Sequence, residues 1–321
     1  MKDLPGDSAR SEANAGKFDD PDRTAKGEAR ARVALREPKT LWFNTGTLCN
    51  IECAGCYIES SPSNDRLVYI TADEVRDYLD QIAERGWPVR EIAFTGGEPF
   101  MNPQMNDMAR AALERGFEVL VLTNAMRPMM RAGVRKGLAG LDAAFPGKLT
   151  LRVSLDHHRA EVHDAERGAG TYDKTVEGMC WIRDAGIRMA VAGRLEMAAS
   201  EEESRAGYAA FFERHGFDVD AYDPAMTVLF PEMDAAVEVP EITTACWGIL
   251  GKSPEAVMCS SSRMVVKRKG AERPAVLACT LLPYDARFEL GETLADAERD
   301  VPLNHPHCAK FCVLGGASCS A

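Results

Sequence analysis

The sequence predicts an α/β protein with parallel strands, followed by a small cysteine-rich extension. Strand-like and helical stretches alternate from residue 39 to about 232. One punctuation recurs at Glu84-Arg85-Gly86, Glu114-Arg115-Gly116, Asp184-Ala185-Gly186 and Arg214-His215-Gly216, each closing a helical stretch just before a strand. Glycine there accepts the left-handed helix stop. After Pro231 the rhythm ends, and six of the chain's ten cysteines appear.

Residues 1–38 are rich in Asp, Glu, Lys, Arg, Ala and Gly and read as a polar leader, mobile or loosely docked. The first strand covers Thr40 to Asn44. A helix starts near Thr71, where Thr71-Ala72-Asp73-Glu74 forms a capping box and Val75, Tyr78, Leu79 and Ile82 share one face. Further strands are expected at Glu91–Thr95, Val119–Thr123, Leu149–Ser154, Met189–Leu195 and Met226–Phe230. Helices fall near 103–115, 126–139, 172–185 and 201–215. Met129-Met130 and Cys180, beside Val176 and Met179, read as core residues. Alternation of this kind means parallel strands with right-handed crossovers. Six units between 39 and about 232 are too few for a closed eight-stranded barrel. In the extension, 233–321, Met264-Val265-Val266-Lys267 and Ala275-Val276-Leu277-Ala278 flank Lys269-Gly270 and predict a β-hairpin.

With 321 residues, 45% of them hydrophobic, the chain can bury one large core or two modest ones. Its net charge of −11 argues against general nucleic-acid binding, which wants a basic face. No apolar run reaches the roughly 18 residues of a membrane span, and no signal-peptide stretch opens the chain. Ten cysteines in an unsecreted protein point to metal or redox chemistry rather than disulfides. A cytoplasmic location is therefore expected.

Three cysteines share one short stretch, Cys49-Asn-Ile-Glu-Cys53-Ala-Gly-Cys56, directly after the first strand. A four-iron cluster takes four thiolates, so three leave one iron open, and an open metal position is where a substrate or cofactor binds. Zinc is the rival. It prefers paired knuckles, and no partner pair follows within the next hundred residues.

With Ile92-Ala93-Phe94-Thr95-Gly96-Gly97-Glu98-Pro99 about forty residues further on, this stretch resembles the radical S-adenosylmethionine (SAM) enzymes. The second segment is similar to that family's glycine-glycine-glutamate-proline motif. The resemblance implies a partial (β/α)6 TIM-like barrel, open on one side, spanning 39–232. It also implies a [4Fe-4S] cluster on Cys49, Cys53 and Cys56 with SAM chelated to the open iron. Reductive cleavage would then give a 5′-deoxyadenosyl radical that abstracts hydrogen from a substrate. Gly96 and Gly97 would approach the SAM amino group, with Glu98 following. Ser154, in the family-like Ser154-Leu155-Asp156, would lie near SAM. Arg194 suits the SAM carboxylate or a surface ion pair, Asn124 a turn or a SAM contact, and Asp156 a substrate contact or a helix cap. The residue before the third cysteine, often aromatic in the family, is Gly55 here, and the aromatic follows as Tyr57. His157, His158 and His163 lack metal-binding helical spacing and are expected to face solvent or cap a helix.

The extension resembles the SPASM or twitch auxiliary-cluster domains of the family. The implied ligands of a second [4Fe-4S] cluster are Cys259 and Cys279 around the hairpin, with two from Cys308, Cys312 and Cys319. Cys246 stands in reserve, and zinc on the same thiolates is the alternative. Tyr284 and Asp285 would face the barrel mouth or form a turn. The expected protein is an enzyme acting on a peptide or small organic molecule, with a flavodoxin or ferredoxin as electron donor. An iron–sulfur electron-transfer or sensing protein without SAM turnover is the rival function, and a zinc-stabilised binding module the third.

Overall fold

The computed structural model describes Asn14 and residues 16–195, 200–231 and 238–315. Cys319 lies outside the described residues.

The chain opens with β1 (Arg32–Val33) and β2 (Thr40–Asn44), then α1 (Ala72–Arg85). Next come β3 (Glu91–Thr95), α2 (Met105–Glu114), β4 (Glu118–Thr123), α3 (Arg127–Met130) and α4 (Ala132–Ala144). β5 (Leu149–Ser154), α5 (Ala160–Arg167), α6 (Thr171–Asp184), β6 (Arg188–Arg194), α7 (Glu201–His215) and β7 (Thr227–Phe230) complete the repeated part. The Thr71 capping box is formed, and Gly86 and Gly216 close α1 and α7 in the left-handed conformation. The helix expected over 126–139 is two helices, α3 and α4, broken at Arg131, whose backbone is extended. The short helix α5 gave too little apolar periodicity to be anticipated, with His163 its one buried residue.

The strands β2 to β7 run parallel in chain order, as the alternation requires. The sheet does not stop there. After α8 (Cys246–Leu250), the chain forms β8 (Ser262–Val266), β9 (Ala275–Leu277), β10 (Glu289–Gly291) and β11 (Val301–Pro302). The hairpin of β8 and β9 forms as expected, but it is no separate unit. β8 lies parallel to β2 on its free side, with Thr40 opposite Ser262, and the sheet reads β10-β9-β8-β2-β3-β4-β5-β6-β7. All five residues of β8 are buried, so this strand had to join a sheet covered on both faces.

The leader corrects its expectation. Residues 16–38 are docked against the extension: β1 pairs antiparallel with β11, and Phe18 is buried. Arg30 reaches Glu241 at 2.6 Å with both side chains nearly sealed from solvent, and Glu241 also accepts from the Phe18 and Ala25 amides. These partners lie more than two hundred residues away in sequence, beyond the reach of local patterning.

Candidate functional site

The three loop cysteines follow β2 directly, at the C-terminal edge of the parallel sheet, where α/β barrels gather their active residues. The loop is held mainly by backbone. The Gly97 amide donates to Gly46 O at 2.9 Å and the Glu98 amide to Leu48 O at 3.1 Å, while the Cys49 amide donates to Ser61 O at 3.0 Å. These bonds explain the paired glycines. A Cβ on Gly96 would meet Gly46 O at 2.5 Å, and one on Gly97 would meet Leu48 O at 2.3 Å. The glycines thus let the β3 turn zip onto the cysteine loop with no room for a side chain.

Cys49, Cys53, Cys56, Gly55, Gly96, Gly97, Asn124, Ser154 and Arg194 all line one cavity of about 1120 Å³, open on one side. Glu98 does not. Its buried carboxylate turns inward, accepting from Thr123 Oγ1 at 2.9 Å, the Asn124 amide at 2.8 Å and the Phe100 amide at 3.2 Å. It ties the end of β3 to the end of β4, and burial pushes its carboxyl up to about 7. Asn124 in turn donates to Asn50 Oδ1 at 3.0 Å, beside Cys49. Its own Oδ1 caps the Met126 amide, so it serves the turn and the cavity together.

Arg194 answers the unusual glycine before the third cysteine. Its guanidinium donates to Gly55 O at 2.9 Å, and a Cβ on Gly55 would meet Arg194 Nη1 at 2.5 Å. Arg194 occupies the space a larger residue would take, and lies within ion-pair range of Asp156 (3.6 Å) and Glu166 (3.5 Å). Tyr57 lines the same cavity and is partly exposed.

Arg167, on α5, is the site residue that sequence reasoning missed. It grips Asp156 in a fork at 2.8 and 3.0 Å, so Asp156 is an ion-pair partner rather than a helix cap. Burial works against both charges, but the pairing prevails. It holds Asp156 below the usual carboxylate range and keeps Arg167 cationic. No local pattern marks this pair, because it depends on α5 folding back over the end of β5. The three histidines correct their expectation in part. His157 and His163 are buried rather than solvent-facing, His157 Nδ1 accepts from the Arg159 amide, and His163 packs edge-on to Tyr172.

Cys49 is buried, and burial pushes its thiol up to about 12; Cys53 is raised as well, chiefly by burial. Unmetallated, both stay protonated, and a metal would displace the proton. Among the described residues, no three His, Cys, Asp or Glu side chains form a group that could hold a metal ion. The donor chemistry fits a cluster, which spreads its thiolates over separate irons. Three soft donors line one cavity beside a fixed guanidinium.

The extension assembles a second group. Cys259, Cys279, Cys308 and Cys312 line a small cavity of about 370 Å³ with His307 and otherwise mostly apolar side chains. Cys308 and Cys312 share a π-helical turn, Cys308–Leu314. Burial pushes the Cys259 thiol up to about 11 and the Cys308 thiol well above its ordinary value. Arg263 is 1% exposed, and the hydrogen bonds of its guanidinium go to the carbonyls of Cys259, Ser262, Ala297 and Arg299; among the described residues Asp300 acts on it through charge alone, with no ion-pair contact. A buried cation of this kind calls for an anion nearby, and a thiolate-bound iron cluster is anionic. Cys246 is not part of this cavity; its sulfur meets Thr243 instead. Tyr284 bonds Ile58 O at 2.9 Å beneath the Arg66 guanidinium, so the extension clamps the end of the cysteine loop.

Fold and site together define a parallel α/β barrel segment with a cysteine loop at its catalytic edge. Residues 43–194 match the Radical SAM superfamily. It is 32% identical over 145 residues to the antilisterial bacteriocin subtilosin biosynthesis protein AlbA of Bacillus subtilis, covering 45% of this chain and 30% of that protein. It is 28% identical over 149 residues to an AdoMet-dependent heme synthase of Methanosarcina barkeri, covering 46% and 40%. The chain therefore spans well under half the length of these relatives. Its fold is similar to Streptococcus suis SuiB bound to S-adenosylmethionine, with a TM-score of 0.58 at 12% identity, covering 79% of this chain and 63% of that one. It is also similar to anSMEcpe with AdoMet and a peptide, with a TM-score of 0.55 at 15% identity, covering 85% and 83%. Among the described residues, no helix is long and apolar enough to cross a membrane.

Proposed function

We propose that this protein is an oxygen-sensitive radical SAM enzyme of a reducing compartment such as the cytoplasm. The observation that carries the reading is the cysteine loop at the C-terminal edge of the parallel strands, zipped to Gly96-Gly97 and facing a roomy cavity. When bound, a [4Fe-4S] cluster and SAM would supply reductive cleavage to a 5′-deoxyadenosyl radical and hydrogen abstraction from the substrate.

The chain's own part is to hold and enclose. Cys49, Cys53 and Cys56 provide three thiolates. Gly96 and Gly97 bring backbone within reach of the SAM amino group, while Asn124, Ser154 and Arg194 line the space for the rest of SAM. Arg167 and Asp156 fix the wall behind Cys53. The cavity is open on one side, which leaves a way in for a substrate beside the cofactor. The substrate is a peptide or a small organic molecule; the relatives' names include both a bacteriocin biosynthesis protein and heme synthases.

Cys259, Cys279, Cys308 and Cys312 would hold an auxiliary [4Fe-4S] cluster, with Arg263 as counter-charge. Its enclosure favours an electron relay or structural staple over a substrate-binding site.

The test is anaerobic incubation of the purified protein with SAM and a strong reductant. Release of 5′-deoxyadenosine, lost when Cys49, Cys53 and Cys56 are replaced by alanine, is the expected result. A brown protein that leaves SAM intact would point to electron transfer or sensing. A colourless, zinc-loaded protein would overturn the reading.

A further inference from the structure

The cavity beside the cysteine loop has two unlike sides. Its charged side chains Asp156, Arg167 and Arg194 lie near Cys53 and Gly55 and are paired with one another. Where the loop and β7 meet the extension, the lining is Ile58, Phe230, Pro231, Leu281 and Phe311, none of them charged. The Phe230 and Phe311 rings lie 5.5 Å apart at 31°. Ser60 also lines the cavity, two residues after Ile58, whose carbonyl the extension's Tyr284 holds. Ser60 is 4% exposed; its amide donates to Cys56 Sγ at 3.3 Å, but its hydroxyl has no hydrogen-bond partner among the described residues. The neighbouring hydroxyl behaves otherwise: Ser61 Oγ accepts from the Ser63 and Asn64 amides and so holds the turn. Nor is Ser60 loosely placed. Glu59 before it is left-handed, with φ 50°, and is braced by its amide on Cys56 O, by Asn64 on its carbonyl and by Arg66 on its carboxylate. A buried hydroxyl without a partner costs free energy, and one held at a cavity wall recovers it from a group that enters.

We propose that this end of the cavity binds the substrate by an uncharged apolar group, and that the Ser60 hydroxyl hydrogen-bonds an amide or carbonyl beside that group. The inference rests on the radical SAM reading above and narrows its substrate class. Phe230, Leu281 and Phe311 give the apolar group an apolar wall, where a charge would lose its hydration without gaining a partner. The Ser60 hydroxyl can both donate and accept, so it matches either polar atom of an amide. One hydrogen bond at the loop and one apolar contact at the extension together fix the substrate's orientation beside the cofactor. Ser60 stands four residues past Cys56, so a hydrogen bond to a cluster sulfur is the rival use of its hydroxyl, and the test separates the two.

The test measures binding of small probes to the anaerobically reconstituted protein, with SAM present and no reductant, by ligand-observed NMR titration. Phenylacetamide carries an apolar ring and an amide. Phenylacetate and phenethylammonium keep the ring with a charge of either sign, and acetamide lacks the ring. Phenylacetamide should bind tightest, with each of the other probes at least about tenfold weaker. Ser60→Thr and Ser60→Val add nearly the same volume and differ in the hydroxyl. The Ser60→Thr protein should hold phenylacetamide about fivefold more tightly than the Ser60→Val protein, at equal iron content. If the added methyl costs the cluster, Ser60→Ala against wild type makes the same comparison. Failure of wild type to bind phenylacetamide would overturn the proposal, as would tighter binding of either charged probe. Equal phenylacetamide binding by the two variants would overturn it too, and a shifted cluster potential in Ser60→Val would then assign the hydroxyl to a cluster sulfur. A wild type that assembles no cluster, or leaves SAM intact once reductant is added, would instead sink the enzyme reading on which the proposal rests.

Discussion

Cys49, Cys53 and Cys56 lie on one loop of eight residues, whereas Cys259, Cys279, Cys308 and Cys312 are drawn together from segments spread over more than fifty. Each group has one arginine beside it, largely buried at Arg167 and fully buried at Arg263, and the two differ. Arg167, near Cys53, is matched by Asp156. Arg263, next to Cys259, bonds main-chain carbonyls and, among the described residues, makes no contact ion pair. A site on one loop can be seated by backbone bonds, keep its charges balanced without metal, and leave an open corner toward a cavity. On the proposed reading, a site gathered across the chain would be closed by the anionic cluster it binds and would tie distant segments together.

This contrast can be strained at its sharpest point, the glycine zipper. Gly97→Ala places a Cβ against the Leu48 carbonyl, which cannot move without unseating the cysteine loop. The expected result is loss of most of the loop's iron and a stability cost of about 1–3 kcal/mol, read by iron assay and denaturant titration. Gly55→Ala meets only the flexible end of Arg194, and should cost well under half as much while retaining iron.

The arginines sharpen the comparison next. Arg167→Met strips Asp156 of its forked partner and leaves only the longer Arg194 contact for a buried charge, so the apo-protein should lose about 3 kcal/mol at pH 7. Pairing holds the Asp156 pKa below its unfolded value of about 3.9. Its stabilisation is therefore present above that pH and fades as pH falls through the lower folded value. In the variant the buried acid is neutral at low pH, so the gap between variant and wild type should shrink toward pH 4. Arg263→Met should behave in the opposite sense, with a smaller effect on the apo-protein than on the loaded one. Its mark would be auxiliary iron that a chelator strips more than tenfold faster. Equal losses with and without iron would mean that Arg263 serves the fold alone.

Much of the barrel was legible in the sequence because its signals are local. Caps at Thr71 and Gly86, glycine stops at Gly116 and Gly186, and short apolar strands placed the elements within a few residues. The cysteine loop and Gly96-Gly97 were legible for the same reason. What escaped depends on distant partners. The strand β8 lies beside β2 across more than two hundred residues, and the leader finds Glu241 at similar remove. Arg167 gave no warning, since a lone arginine ending a short helix reads as surface charge until α5 folds back onto Asp156. Glu98 was legible as part of a motif, but its inward turn onto Thr123 and Asn124 follows only from the positions of β3 and β4.

The most direct test of two unlike cysteine sites is to count iron and sulfide, alongside 5′-deoxyadenosine, in three anaerobically reconstituted proteins. Wild type should hold about eight irons. Alanine at Cys49, Cys53 and Cys56 should leave about four and no product. Serine at Cys259 and Cys308 should also leave about four, with SAM cleavage retained and stability reduced. About four irons in wild type, all lost with the loop cysteines and none with Cys259 and Cys308, would contradict the second cluster and leave the gathered cysteines as packing.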